Sequence, residues 1–196
     1  MKRLTDVALS AAGLVVLSPL LVALAVWVKL DSPGPVFFRG ERIGRGGRPF
    51  RMFKFRSMRV TPPGSGLQIT IAGDARITRS GAVLRRYKLD ELPQLIDVLL
   101  GRMSLVGPRP EVAQYVAAYP PAARDVVLSI RPGITDPASI EFRNESEILG
   151  AAANPEHEYI ETILPRKIAV YRSYVANRSW LGDMRIILRT LGALRS

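Results

Sequence analysis

The chain has no cysteine and a single histidine, His157. Without cysteine there is no disulfide, no thiolate nucleophile and no cysteine-ligated zinc, which fits a reducing compartment. A Ser-His-Asp triad would have to use His157, and no nucleophile-elbow sequence accompanies it. His157 therefore reads as a surface residue. Acidic side chains are also scarce, with 17 Asp and Glu against 28 Lys and Arg, a formal charge of +11. That imbalance favours anionic partners: nucleic acid, anionic lipid or phosphorylated small molecules. Charge alone does not choose among them. Repeats and low-complexity tracts are absent too, and 196 residues at 47% apolar suffice for one well-cored domain.

What is present begins with residues 7–28, an uncharged run interrupted only by Ser10, Gly13, Ser18 and Pro19. As a straight helix it would be about 33 Å long, enough to cross a hydrocarbon core of about 30 Å. A spanning anchor is one reading. A signal peptide is another, with Lys2-Arg3 as its basic start and Ala23-Leu24-Ala25 as a cleavage site. Against it, the apolar run continues past that site and a basic cluster follows. A third reading rests on Ser18-Pro19 in the middle, where proline removes a hydrogen bond and kinks a helix. Arms of about 18 and 15 Å result, and neither spans. Lys2 and Arg3 precede the run, and Lys29, Arg39, Arg42, Arg45, Arg48 and Arg51 follow it. Cations on both sides fit a re-entrant hairpin with both ends cytoplasmic. Residues 1–30 are thus assigned to the membrane and residues 31–196 to a cytoplasmic domain.

Residues 36–43 and 49–58 read as two strands of a β-hairpin turning at residues 44–48. In the second, Phe53 and Phe55 would pack on one face while Lys54 and Arg56 present cations on the other, to solvent or to a ligand. Residues 61–74 form a polar loop. Helices are expected at residues 76–88, 90–100, 114–119, 122–130, 163–178 and 180–194. Pro93 is tolerated only in a first turn, so the second helix should begin near Asp90, and Gly101 should cap its end. Six glutamates crowd residues 141–161 and suggest a solvated surface. The last two helices are amphipathic, with Trp180, Leu181, Ile186, Ile187 and Leu191 opposite Arg and Lys. They would lie in the membrane interface or pack on the core. The fold class expected is α+β and mostly helical, with a membrane helix broken at Ser18-Pro19, a small hairpin and interfacial helices.

Asp90 and Glu91 sit where a helix begins, just after Arg85, Arg86 and Lys88. Helix capping accounts for such carboxylates. So does a pyrophosphate site, in which a carboxylate-held divalent cation and nearby arginines bind the anion. There a carboxylate could attack phosphorus and form an acyl phosphate.

Arg-Tyr-Lys-Leu-Asp-Glu-Leu-Pro-Gln-Leu at residues 86–95, followed by Met-Ser-Leu-Val-Gly-Pro-Arg-Pro at 103–110, resembles the bacterial sugar transferase family. These are the small monotopic phosphoglycosyl transferases of lipid-linked glycan assembly. The resemblance extends to Ser-Pro-Gly-Pro-Val-Phe-Phe at 32–38, Lys-Phe-Arg-Ser-Met at 54–58, Arg-Pro-Gly-Ile-Thr at 131–135 and Arg143-Asn144. It implies a re-entrant helix broken at a Ser-Pro pair, here Ser18 and Pro19. It implies Asp90 as the nucleophile that also helps hold Mg2+, with Glu91 supporting catalysis. Arg85, Arg109 and Arg143 would contact phosphate or nucleotide, and Lys54, Arg56 and Arg131 join them as candidates. Arg102 departs from the family, which usually has Gly-Asp-Met where this chain has Gly-Arg-Met; it leaves that aspartate's role unfilled or contacts membrane or phosphate instead. The Thr-Asp-Pro-Ala-Ser stretch at 135–139 also departs, which bears on sugar or nucleotide specificity rather than reaction class.

The expectation is a ping-pong transfer of a sugar 1-phosphate from a UDP-sugar to polyprenyl phosphate, releasing UMP, at the cytoplasmic face of a bacterial inner membrane. Membrane lipid is a further partner, nucleic acid is not, and a homodimer is left open. The rival reading is a non-catalytic, membrane-tethered basic module binding anionic lipid or nucleic acid. No helix-turn-helix or aromatic RNA-binding signature favours it.

Overall fold

A computed structural model describes residues 1–60, 69, 73–142 and 144–193. Helix α1 runs from Lys2 to Asp31, 30 residues and about 45 Å. Pro19 offers no N–H to the Val15 carbonyl, and the Ser18 hydroxyl donates to it instead at 2.7 Å. The helical backbone passes through the Ser-Pro pair without interruption.

The two ends of α1 are fastened and its middle is not. Lys2 donates to the Val106 carbonyl at 3.0 Å and pairs with Asp183 at 2.5 Å, while Arg3 donates to the Val98 carbonyl at 2.7 Å. Asp6 accepts from Ser104 Oγ at 2.8 Å. At the other end Leu24 and Val28 pack with Phe55 and Leu84, and Asp31 accepts from the Ser80 N–H and hydroxyl. Between them Val15, Val16 and Val22 are 73%, 75% and 63% exposed. The helix is long and apolar enough to cross a membrane, and this bare apolar flank associates the chain with one.

The hairpin exists in two separate legs. Strand β1, Phe37–Phe38, pairs antiparallel with β4, Lys54–Phe55, and β2, Glu41–Ile43, pairs with β3, Pro49–Arg51. The ladder breaks at Arg39-Gly40 and Met52-Phe53, so the strand expected over 49–58 is two short ones. Gly46 and Gly47 turn the hairpin at φ 68° and 74°, which lack of a Cβ permits.

Helix α2, Arg79–Arg86, is shorter than expected and is capped by Thr78 Oγ1, which accepts from the Gly81 N–H at 3.0 Å. Helix α3, Gln94–Leu99, starts four residues after the expected position. Pro93 has no N–H for the Leu89 carbonyl, so the α-helical ladder begins only beyond it. Asp90 and Glu91 occupy a preceding 3-10 turn, Leu89–Glu91, entered through Lys88 at φ 55°. Gly101, at φ 77°, ends the helix as anticipated.

Then follow β5 (Ser104–Val106), α4 (Ala113–Ala117), α5 (Pro121–Leu128) and β6 (Gly133–Thr135), the last parallel to β5. Three short helices come next, α6 (Pro137–Glu141), α7 (Glu145–Ala151) and α8 (Pro155–Glu158), and His157 on α8 is exposed. A π-helical turn, Tyr159–Ile163, leads into α9 (Leu164–Asn177) and α10 (Trp180–Ala193). The largest core cluster gathers Tyr115, Tyr119, Leu149, Leu164, Ile168 and Tyr171. Helix α9 buries Leu164, Ile168, Tyr171 and Tyr174, so it takes the core-packing alternative. Helix α10 buries Asp183 and leaves Trp180, Leu181 and Leu188 exposed. Most of the expected loop at 61–74, Arg143 and the end of the last expected helix lie outside the described residues.

Candidate active site

Lys54 opens β4 opposite Phe38, which fixes where its side chain leaves the sheet. Its ammonium lies 2.9 Å from Asp90 Oδ2 and 3.2 Å from Glu91 Oε1. Arg109 arrives from the Gly-Pro-Arg-Pro loop after β5. The loop passes close to its neighbour: a Cβ on Gly107 would stand 2.5 Å from the Arg131 carbonyl oxygen. Arg109 Nη2 reaches Glu91 Oε1 at 2.6 Å and Nη1 lies 3.5 Å from Oε2.

The two carboxylates are buried, Asp90 2% and Glu91 7% exposed. Burial pushes the Glu91 carboxyl up, but Arg109, then Lys54 and Lys88, outweigh it and hold the group well below its ordinary 4.5. Glu91 in turn raises Arg109 above its usual range, against the effect of burial. Both oxygens of Glu91 face Arg109, whereas Asp90 is ion-paired through one oxygen only among the described residues. A saturated anion beside a less encumbered one suits division of labour: one organises cations, the other can react.

The structure therefore brings Lys54, Asp90, Glu91 and Arg109 together. It turns other candidates elsewhere. Arg56, 3% exposed, donates to the carbonyls of Val28 at 3.0 Å and Ser32 at 2.7 Å, and to that of Pro33, capping the end of α1. Strand β4 ends at Phe55, so the alternation that would keep Arg56 on the face of Lys54 stops first. Arg131 Nε donates to the Gly101 carbonyl at 2.7 Å. Arg85 Nη1 lies 3.4 Å from Ser57 Oγ and makes no ion pair among the described residues. Arg143 lies outside them. Ser18 and Pro19 sit on the exposed middle of α1.

Two further acids, half-buried Glu111 and fully buried Asp97, escaped the sequence reading. Glu111, two residues past Arg109, accepts from Tyr159 Oη at 2.6 Å. Asp97, wholly buried in α3, accepts from the Phe53 N–H at 2.7 Å. Its signal was a carboxylate inside an otherwise apolar stripe.

The profile of the family described as bacterial sugar transferase matches residues 1–196. The chain belongs to that family. The chain is similar to the UDP-glucose:undecaprenyl-phosphate glucose-1-phosphate transferase of Xanthomonas campestris pv. campestris, 43% identical over 193 residues, 96% of this chain and 37% of that protein. The UDP-N-acetylgalactosamine-undecaprenyl-phosphate N-acetylgalactosaminephosphotransferase of Aeromonas hydrophila is 35% identical over 97% of this chain and 42% of its own length. The exopolysaccharide production protein PSS of Rhizobium leguminosarum bv. phaseoli is 39% identical over 97% of this chain and 93% of its own. The chain thus spans less than half the length of the first two relatives.

Proposed function

We propose that this sugar transferase family member moves a sugar 1-phosphate from a UDP-sugar to polyprenyl phosphate, releasing UMP, at the cytoplasmic face of the bacterial inner membrane. The observation that carries the reading is the buried Asp90–Glu91 pair clamped by Lys54 and Arg109. Relatives named for this transfer, to undecaprenyl phosphate, support it. They differ in the sugar, so the donor is proposed as a class.

An Asp90 oxygen attacks the β-phosphorus of the donor. The bond from that phosphorus to the bridging oxygen breaks, and UMP leaves with the electron pair. Asp90 then carries the phosphosugar as an acyl phosphate. An oxygen of polyprenyl phosphate attacks the same phosphorus, the bond to Asp90 breaks, and the carboxylate returns. No proton is consumed. Lys54 and Arg109 are placed to pass from the carboxylates to the transferring phosphoryl oxygens, the main electrostatic demand of such a step. Among the described residues no group of three acidic or histidine side chains forms a metal cage. Magnesium needs only one or two carboxylates when phosphates complete its shell, so Asp90 fits as its protein ligand. Bound there, it would neutralise charge on the diphosphate.

Position relative to lipid supports the same reading. Phe55, next to Lys54, and Leu89, next to Asp90, both belong to the cluster around Leu24 and Val28 of α1. A water-soluble donor and a bilayer-bound acceptor could therefore meet at this site. Both ends of α1 are bonded to one domain while its middle is bare, which supports a helix kept at one membrane face with its middle in the apolar layer, rather than one that carries an end to the far side.

Incubation with UDP-sugars should release UMP; release of UDP would indicate ordinary glycosyl transfer. Asp90→Asn should abolish turnover and covalent phosphosugar labelling, while Glu91→Gln slows turnover and keeps the label. A label that survives in Asp90→Asn would end the proposal.

A further inference from the structure

Asp97 has no part in the reaction described above, yet it is a fully buried carboxylate with partners on two sides. Its Oδ2 accepts from the Phe53 N–H at 2.7 Å, and its Oδ1 faces Arg102 Nη1 at 3.3 Å. Burying such a charge is costly unless its oxygens are partnered, so what the partners do is informative.

Phe53 stands in the gap between β3 and β4, outside both ladder registers. Its N–H has no cross-strand carbonyl there, and Asp97 supplies the acceptor. The Phe53 ring is covered by the Arg39 guanidinium at 3.5 Å, so backbone and side chain are both held. The next residue is Lys54.

We infer that Asp97 is a positioning residue for the active site: by anchoring the Phe53 backbone it sets where Lys54 enters β4 and keeps its ammonium between Asp90 and Glu91. Asp90 and Asp97 belong to one short run, the 3-10 turn followed by α3. That run therefore grips the strand at two points, Asp97 on Phe53 and the carboxylate pair on Lys54. With both in place the strand cannot slide along the run. With only the second, a lysine on four rotatable bonds must hold the register alone. Arg102, the residue that departs from the family pattern, supplies the countercharge to Asp97. The Asp97 carbonyl accepts the N–H groups of Arg102 at 3.0 Å and Met103 at 3.2 Å, which folds Arg102 back beside it.

The catalytic consequence rests on the proposed transfer reaction, but the placement of Lys54 does not, so the test has separate arms. In the first, full-length protein is treated with an amine-acylating reagent and each lysine is followed by mass spectrometry. In Asp97→Ala the acylation rate of Lys54 should rise about tenfold as its ion pairs loosen. Lys167, buried and paired with Glu145, should not change. Asp97→Asn keeps an acceptor and should stay within about twofold of wild type. An unchanged Lys54, or Lys54 and Lys167 rising together, overturns the inference. Hydrogen exchange in the wild type needs no variant: the Phe53 amide should exchange as slowly as amides of α9, and loop-like exchange overturns it equally. In the second arm, Asp97→Ala should lower kcat by about 10- to 100-fold. In a Lys54→Met background the same change should cost less than about threefold, because the two act in series. Full additivity overturns the inference; absence of UMP release from the wild type leaves the first arm intact and removes only the transfer reading.

Discussion

Lys54, in β4, and Arg56, just past its end, stand two residues apart and spend their charge on different parts of the molecule. The ammonium of Lys54 bridges two buried carboxylates, while the guanidinium of Arg56 satisfies three carbonyls where α1 ends. The last carbonyls of a helix have no intrahelical donor, and a buried helix end must find one elsewhere. What a cation does here is decided by the unsatisfied acceptors it can reach, not by its neighbours in the chain.

Substituting each should separate the two jobs. Lys54→Met should reduce turnover by about 10²- to 10³-fold, the usual scale for removing one electrostatic contact to a transferring group. Arg56→Met should instead destabilise the fold by about 2–4 kcal/mol, since buried carbonyls lose a charged donor, with turnover per folded molecule near normal. Denaturant melts in detergent beside UMP-release assays would read both. Equal losses of turnover at unchanged stability would collapse the contrast.

Arg109→Met sharpens it through pH. The folded-state value of Glu91 lies below its ordinary 4.5, so its pairing stabilises the protein fully above that pH and is lost as pH falls below it toward the folded value. In the variant burial remains while its strongest opponent is gone, so the carboxyl moves up. The stability gap between wild type and variant should be widest near neutral pH and shrink below pH 4.5. A gap that does not change with pH would mean that the pair contributes through shape alone. Arg131→Met should have the smallest effect, about 1 kcal/mol or roughly 2–4 °C in Tm, from the loss of one hydrogen bond to Gly101.

Much of this was legible in the chain itself. The uncharged run, the pairing of 36–43 with 49–58, the stop at Gly101 and the adjacency of Asp90 to Glu91 are local facts, set by side-chain polarity and backbone chemistry within a few residues. Pro93 was legible only in part: a proline near a helix start was recognised, but the missing bond to Leu89 moves the helix beyond Pro93 and leaves the acids in a tighter turn. The parting of Arg56 from Lys54 was not legible, because strand alternation ends where the strand does and nothing local announces that end; nor was the turn of Arg131 to Gly101, a contact across 30 residues.

The sequence by itself determined that a cationic, cysteine-free chain with one apolar helix would present a carboxylate pair beside arginines. Tertiary structure alone decided which cations meet that pair. Lys54 is 37 residues from Glu91, Arg109 is 18, and Asp97 is 44 from the amide it holds. Over such separations contacts follow from how helices and strands pack, since no periodicity reaches that far along the chain.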